Sequence, residues 1–541
     1  MQSPNNPGFF DQKTLLAVIA VALIYGGWQY YLTQKYPSYG QNQPAATTTE
    51  TQTNSTATTD VSNQNNPTVV GSESSLEAAP AVDAFKEEAF AFSGKDISFE
   101  LTNLGMGLKN VQLKNYTDKE KNPIVIGNGK DPLFAMELAS SGGLVPFKVV
   151  ELSPGNFRGE AKIGEMIVVR ELSYDSQKNS ITNKVTFENA TVETLKSFSF
   201  ILPDRIMEDK NSSLLFPSYD LQDFFVIHSS ETKETINFNH AKENVDQEFN
   251  VASTVAVGSQ YFASALLDKS NILPKVKLHA DVNSKNAYAK VIYEPAAVQS
   301  SMQFEQLMYV GPKSIDQLKK IDRTLAKIVD FGFFDVIATP FLYVMKFFYG
   351  LVGNWGLAII LLTLLVRFAV LPFNVMSFRS MKAMQKIQPS VQALREKYKE
   401  DPMRLNQEMM ALMKQNGANP LGGCVPMLLQ IPIFFALYRV ISSSVELYQS
   451  PFIFWITDLS AYDKFYVLPV LMGVTMFVQQ KLTPTTMDPT QAKIFLILPV
   501  VMSVFMLQLP SGLTLYMFVS TLFGIIQQMI IMRDSKPVSG K

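Results

Sequence analysis

The chain has 541 residues, room for two or three domains, and its 47 basic residues against 48 acidic ones leave a net charge of -1. That balance gives no general attraction to nucleic acid. One cysteine, Cys424, excludes an internal disulfide and a four-cysteine metal site, and only His228, His240 and His279 supply imidazole. Apolar residues concentrate at the two ends, so the average composition of a soluble protein conceals a membrane protein.

Leu15–Tyr31, LLAVIAVALIYGGWQYY, is apolar over about the length that crosses a bilayer, with Lys13 at one flank and Trp28, Tyr30 and Tyr31 at the other. Its length, and the lack of a short Ala-x-Ala-like site after it, favour an uncleaved anchor (1–37) over a cleaved signal. Residues 38–81 are rich in Gln, Asn, Thr, Ser and Ala. They bury too little apolar surface to offset the entropy of ordering, which predicts a flexible linker.

From 82 to 331 the pattern changes to alternation. MIVVRELSYD (Met166–Asp175), NKVTFENATV (Asn183–Val192) and AYAKVIYEP (Ala287–Pro295) predict half-buried antiparallel strands, separated by turn clusters such as SPGN and GNGKDP. Many such strands predict a β-sandwich, closed by a charged helix over Ser314–Asp330. Residues 332–350 mix aromatics with Asp335, Lys346 and Pro340, a composition suited to lying in the membrane interface.

Residues 351–541 supply five further apolar spans, Trp355–Phe378, Leu421–Ile441, Phe465–Leu482, Ile494–Leu509 and Leu513–Met532, making six with the anchor. Between the first two of these lie Arg379, Lys382, Lys386, Arg395, Lys397, Lys399, Arg404 and Lys414, whereas Ser442–Asp463 carries Glu446, Asp458 and Asp463 and no Lys or Arg. The positive-inside rule therefore places the basic loop and both termini in the cytoplasm, and the β domain outside.

Within the basic loop, Met384, Ile387, Val391, Leu394 and Tyr398 recur at steps of three and four, and Leu405, Met409 and Leu412 continue the seam. Asp401-Pro402 is a helix start and Gly417 a helix stop, so a helical hairpin over 379–417 is expected, with Pro389 bending its first arm. The methionines, including Met381, Met384, Met403, Met410 and Met413, outnumber what the seam needs, and flexible thioethers suit a surface that meets varied apolar segments.

Arg367 is the most informative single residue. Trp355 lies twelve positions before it and Arg379 twelve after, about 18 Å each way along a helix, which is near mid-membrane. An arginine there costs roughly 2.5 to 3.5 kcal/mol on insertion scales. A hydrated cavity offsets that cost, and an arginine satisfied by helix carbonyls in packing is the plainer alternative. Thr363 one turn away, Gln430 in the next span and Tyr516 and Ser520 on one face of the last could line such a cavity. No phosphate loop, HExxH spacing or intramembrane histidine beside Ser511 is present, and GMG at Gly105–Gly107 lacks the third glycine of a dinucleotide fingerprint. The chain is therefore read as a non-enzyme without metal or cofactor.

NWGLAIILLTLLVR (Asn354–Arg367), QEMMALMK (Gln407–Lys414), NPLGGCVPMLLQIPIFFALY (Asn419–Tyr438), LPVLMGVTMF (Leu468–Phe477), TPTT (Thr483–Thr486) and PSGLTLY (Pro510–Tyr516) together resemble the YidC-type membrane insertases, over the last 190 or so residues. The anchor and β domain resemble the Gram-negative branch. The resemblance implies an inner-membrane insertase and folding chaperone: an anchor plus a five-helix core, with a periplasmic β-supersandwich related to mutarotase folds but without their sugar chemistry. It implies a positively charged groove, open to cytoplasm and lipid, containing Arg367, Thr363, Gln430 and Tyr516, to which Ser520 is added from its place on the face of Tyr516, and an apolar slide for client helices at Met427, Phe434 and Phe505. Implied partners are nascent membrane proteins, the Sec translocon, and ribosome or signal-recognition components at the cytoplasmic loops. Met517 stands where many relatives have a second aromatic, and the tail after Met532 holds only Arg533, Lys536 and Lys541, too little charge for strong ribosome docking. A small-anion transporter and an anchored periplasmic carbohydrate-binding protein are the rival functions. Flux across sealed vesicles would favour the first, and activity of the isolated β domain the second.

Overall fold

The computed structural model describes residues 86–533 apart from 119, 208–220, 242, 296, 417–424 and 484–488. The anchor and linker expected over 1–37 and 38–81 lie outside the described residues, as does the helix stop at Gly417. What is described is an all-β domain followed by a helical region.

Among the described residues the strands form sheets of four, nine and six. The nine-stranded sheet is centred on Ser301–Pro312, which pairs antiparallel with Phe262–Asp268 on one side and Ser180–Glu188 on the other. Ser180–Glu188 in turn pairs with Met166–Asp175, the strand read directly from its alternation. In the six-stranded sheet Asn286–Tyr293 pairs with Phe198–Arg205 and Lys275–Asp281. Alternation there is strict, with Ala287, Ala289, Val291 and Tyr293 buried and the residues between them half-exposed. The two larger sheets share an aromatic core: Phe198 stacks on Tyr293 at 4.8 Å and meets Phe187 and Phe304 at 5.0 and 4.8 Å. Such rings add about 0.5–1.5 kcal/mol per pair beyond the area they bury.

A polar chain runs through this core. Arg170 is fully buried and donates from Nε to Asn183 Oδ1 (2.7 Å), from Nη1 to the Gly105 carbonyl (2.5 Å) and from Nη2 to the Phe134 carbonyl (3.0 Å), with the Phe200 ring 4.9 Å away. Burial pushes its guanidinium down to about 9, so it stays charged at neutral pH. Asn183 Nδ2 donates onward to Gln306 Oε1 at 2.5 Å. The GMG segment serves this arginine. Gly105 has φ +68°, and a Cβ on Gly107 would lie 2.6 Å from Pro132 Cβ, so the glycines permit a close backbone approach.

The connection to the helices differs from expectation. Ser314–Asp330 is not one helix: α1 covers Ile315–Ile321, and a 3-10 turn at Leu325–Ile328 follows. Ser314 does not cap it, because its hydroxyl donates to Glu446 Oε1 at 3.0 Å. Then come α2 (Asp335–Val352), α3 (Trp355–Ala369), α4 (Leu371–Lys397), α5 (Pro402–Gln415), α6 (Val425–Ser443), α7 (Val467–Leu482), α8 (Pro489–Met506) and α9 (Ser511–Arg533). Among the described residues, Gly332–Val352 and Ser511–Ile531 are long and apolar enough to cross a bilayer by length and composition alone. The pair α3 and α4 also qualifies, bent by 57°.

That bend replaces the straight span expected over Trp355–Phe378. Pro372 at the start of α4 has no N–H to donate back and crowds the residue before it, so the helix restarts there. Pro389, expected to bend the hairpin's first arm, lies inside α4, which runs on through it to Lys397. The hairpin is otherwise as read: Asp401 accepts from the Arg404 amide at 3.0 Å, and Met384, Ile387 and Val391 pack against Met409, Leu412 and Met413.

The β domain and the helices meet at the loop after α6. Tyr448 Oη donates to the Thr117 carbonyl (2.9 Å), and Gln449 Nε2 to the carbonyls of Thr117 and Asp118 (2.8 and 2.9 Å). The Tyr448 ring lies 4.8 Å from Tyr261 and 5.5 Å from Phe262. Gln260 bonds the Ser442 carbonyl at the end of α6.

Two stability measurements test the polar core of the β domain. Arg170→Met leaves the Gly105 and Phe134 carbonyls and Asn183 unpaired, and the expected loss is about 3–5 kcal/mol, read as a lowered thermal midpoint of the β domain. Asp268 accepts from Tyr293 Oη at 2.7 Å, and burial raises its carboxyl from 3.8 to about 6. A raised acid holds its proton more tightly when folded, so stability falls as pH rises from about 4 through about 6 and is level above. Acidifying from pH 7 to pH 5 should therefore add about 1 kcal/mol. Asp268→Asn should abolish that gain, and an unchanged pH profile in this variant would refute the assignment.

Candidate functional site

Helices α3, α6 and α9 bring polar side chains together inside an otherwise apolar bundle. The surrounding core contains Ile359, Leu362, Ile433, Leu437, Leu513 and Tyr516, all buried. Asn354 starts α3 by accepting from the Leu357 amide at 3.1 Å. The helix then runs fifteen residues, so Arg367 falls in its last turn, three residues before the break at Val370. On α9, Tyr516 and Ser520 lie one turn apart on one face, and both are buried.

Arg367 Nε donates to Ser520 Oγ at 2.7 Å, and Nη2 bonds the same oxygen. Gln430 of α6 donates from Nε2 to Tyr516 Oη. The sequence-read residues Arg367, Ser520, Tyr516 and Gln430 therefore form one polar lane across three helices. Among the described residues Arg367 has no carboxylate within ion-pair distance, and its partner is a neutral hydroxyl. A guanidinium carries five N–H donors, so one serine oxygen leaves most of that capacity for other acceptors.

Thr363 is placed differently from the expectation. It is fully buried, and its hydroxyl donates to the Ile359 carbonyl of its own helix at 2.6 Å. It supports the wall and offers no donor to the lane. The apolar positions divide as well. Phe434 and Phe505 are half-buried against the bundle core, and Met427 has its side chain outside the described residues. On α6 the outward apolar face is Leu428, Ile431 and Phe435, and on α8 it is Ile497, Val500, Val501 and Val504. Phe435 was not singled out from the sequence, although it stands seven residues after Leu428 on the same stripe. It stacks on Phe334 at 5.6 Å.

The hairpin methionines also split. Met384 is packed in the seam, as its spacing predicts; Met413, expected as surplus surface, is packed against the seam as well, and Met381 is half-buried. Met410 is exposed, together with Met403. A three-four period alone could not separate these roles, since Met409 and Met410 are neighbours and only the first faces the partner arm.

Two charges, Lys346, read from the sequence only as part of an interfacial segment, and Arg439, lie at the other end of the bundle. Lys346 of α2 bonds both Asp316 (2.6 Å) and Glu446 (2.7 Å). Arg439 of α6 approaches the turn at Gly332, where a Cβ would lie 3.8 Å from Arg439 Nη2. Among the described residues no group of three His, Cys, Asp or Glu could hold a metal ion.

Comparison with known proteins covers both regions. Residues 91–344 match the family model described as the YidC periplasmic domain, and residues 347–538 match that of the 60Kd inner membrane protein. The chain is 35% identical to the membrane protein insertase YidC of Pelobacter propionicus over 462 residues, covering 79% of this chain and 83% of that protein. It is 30% identical to the membrane protein insertase YidC of Methylobacillus flagellatus, covering 98% and 99%. A solved structure of an active YidC insertase with its first transmembrane domain resolved aligns at 19% identity and a TM-score of 0.38, covering 82% of this chain and 92% of that one.

Proposed function

The chain belongs to the YidC family of membrane protein insertases, inner-membrane proteins with a periplasmic domain, and on that premise we propose that insertion depends on the lane headed by Arg367. The observation that carries this reading is the pairing of Arg367 with a serine hydroxyl and with no carboxylate among the described residues. A charge partnered in this way keeps both its field and its spare donors for a client.

The short polar segment that must cross ahead of a client's transmembrane helix carries peptide groups and often carboxylates. Moving either through hydrocarbon unpaired costs several kcal/mol per group. In the lane, Arg367 attracts carboxylates and donates to carbonyls, while Tyr516 and Gln430 supply further polar contacts. The client's apolar segment then leaves across the exposed faces of α6 and α8 into lipid, at roughly 25 cal/mol for each Å² of apolar surface removed from water. No nucleotide is needed, because the client's own burial drives the step. Phe434, Phe505 and Met427 are the positions we assign to that slide.

The same reading extends to topology. Six spans with cytoplasmic termini follow from the basic hairpin and the acidic outer loop. We place 332–350 along the outer interface although α2 is long enough to cross. The supporting contact is Lys346, which in the second half of that helix bonds Glu446 beyond the outer end of α6. A helix spanning the bilayer would carry that lysine away from the outer rim. The hairpin, with Met403 and Met410 exposed, faces the cytoplasm, where nascent chains, ribosome or signal-recognition components would meet it, and the Sec translocon would dock on the bundle. The polar groups bind and release, and the protein acts as an insertase and chaperone without covalent chemistry.

Reconstitution into lipid vesicles with a small client bearing an acidic tail tests the lane. Arg367→Ala should lower tail translocation at least about tenfold, the loss of one charged hydrogen bond of about 1.5–3 kcal/mol, and Arg367→Lys should recover part of it. Full activity of Arg367→Ala on this client would refute the proposal.

A further inference from the structure

Gln527 on α9 is only 6% exposed, and among the described residues neither its Nε2 nor its Oε1 has a hydrogen-bond partner. Buried amide atoms left unpaired cost about 1–3 kcal/mol each, so such a group calls for a reason. Its place on the helix supplies one. Gln527 follows Ser520 by seven residues, about 10.5 Å along the axis and about 20° short of two full turns. It therefore continues the face that carries Tyr516 and Ser520, two turns beyond the contact with Arg367. At that level α3 has ended, and the 57° bend has turned α4 aside.

A second carboxamide lies along the same stretch. Gly524 stands between Ser520 and Gln527, and a Cβ there would be 2.6 Å from Gln479 Nε2 of α7. The missing side chain lets Gln479 lie against the backbone of α9. Neighbouring Gln528 is satisfied differently, contacting Thr483 Oγ1 at 3.4–3.5 Å. Gln527 thus keeps both a donor and an acceptor to offer on this face.

We propose that Gln527 binds the peptide backbone of a client's polar segment at the cytoplasmic mouth of the lane, handing it on to Arg367. A carboxamide presents N–H and C=O side by side in one plane, as an extended peptide does, so the two pair through two hydrogen bonds whatever the client's side chains. An isolated anion would use only the donor, and a metal ion only the oxygen. This inference rests on the insertase lane described above and adds a residue that sorts clients by backbone rather than by charge.

Gln527→Leu keeps the volume and removes both hydrogen-bonding atoms. If the glutamine is merely an unpaired core residue, this variant should be as stable or more stable and should insert clients normally. The expected result instead separates the two readouts. In full-length protein reconstituted in vesicles, translocation of an uncharged polar tail should fall about five- to tenfold, while the thermal midpoint in detergent is unchanged or higher. Gln527→Asn should restore part of the loss, and a client without a polar tail should insert as before. Normal translocation by Gln527→Leu, or loss of stability and translocation together, overturns the inference. Arg367→Ala on the acidic-tailed client is run alongside: if it is impaired while Gln527→Leu is normal, only this inference fails. If neither variant is impaired, the lane itself fails and this inference with it.

Discussion

A guanidinium inside an apolar helix bundle has to be solvated by something, and that requirement governs how the helices of this protein are arranged. Arg367 is met by a hydroxyl from Ser520, a group strong enough to hold it and too weak to neutralise it. A carboxylate in that position would have tied the charge into a closed pair and left little for a passing peptide. The Tyr516–Gln430 bond then draws α6 toward the same face of α9. Three helices are thus held at one level by polar contacts without an ion pair, whose strength in a membrane interior is modest and therefore reversible.

The contacts beyond the lane hold its walls in place. The loop after α6 is plugged into the β domain through Tyr448 and Gln449, while Glu446 takes Lys346 from α2 and Ser314 from the start of α1. These groups fix the outer end of the helix that carries Gln430. At the other end, the break before Pro372 lets α4 leave the bundle and build the hairpin with α5. Opposite ends of the site are therefore braced by different means, a polar joint outside and an apolar seam beyond the bend.

The β domain solves a related problem without a membrane. Arg170 is buried as completely as any residue in the chain, and it too is met by neutral oxygens, here two main-chain carbonyls and an asparagine. Those oxygens are rigid parts of strands and turns, so the pairing stabilises rather than waits. The same residue type is thus held by built-in acceptors in the β domain, whereas at Arg367 its donors outnumber its partners among the described residues.

Periodicity and composition alone identified the β domain, most of the apolar helices, the hairpin seam and the lane residues Arg367, Gln430, Tyr516 and Ser520. Each is a local pattern or a costly residue that a bilayer makes visible: alternation in Met166–Asp175, a three-four step in Met384–Val391, one arginine among leucines. What the sequence could not supply was convergence and direction. Thr363 shares a face with Arg367, yet its hydroxyl turns to the Ile359 carbonyl. Pro372 and Pro389 look alike in the chain, yet a break between two helices precedes the first and one helix runs on through the second. Gln527 reads as an ordinary polar residue near a helix end until it is found buried without a partner among the described residues. Spacing along a helix follows from the backbone, whereas which donor meets which acceptor depends on atoms hundreds of residues apart, and that only the tertiary packing decides.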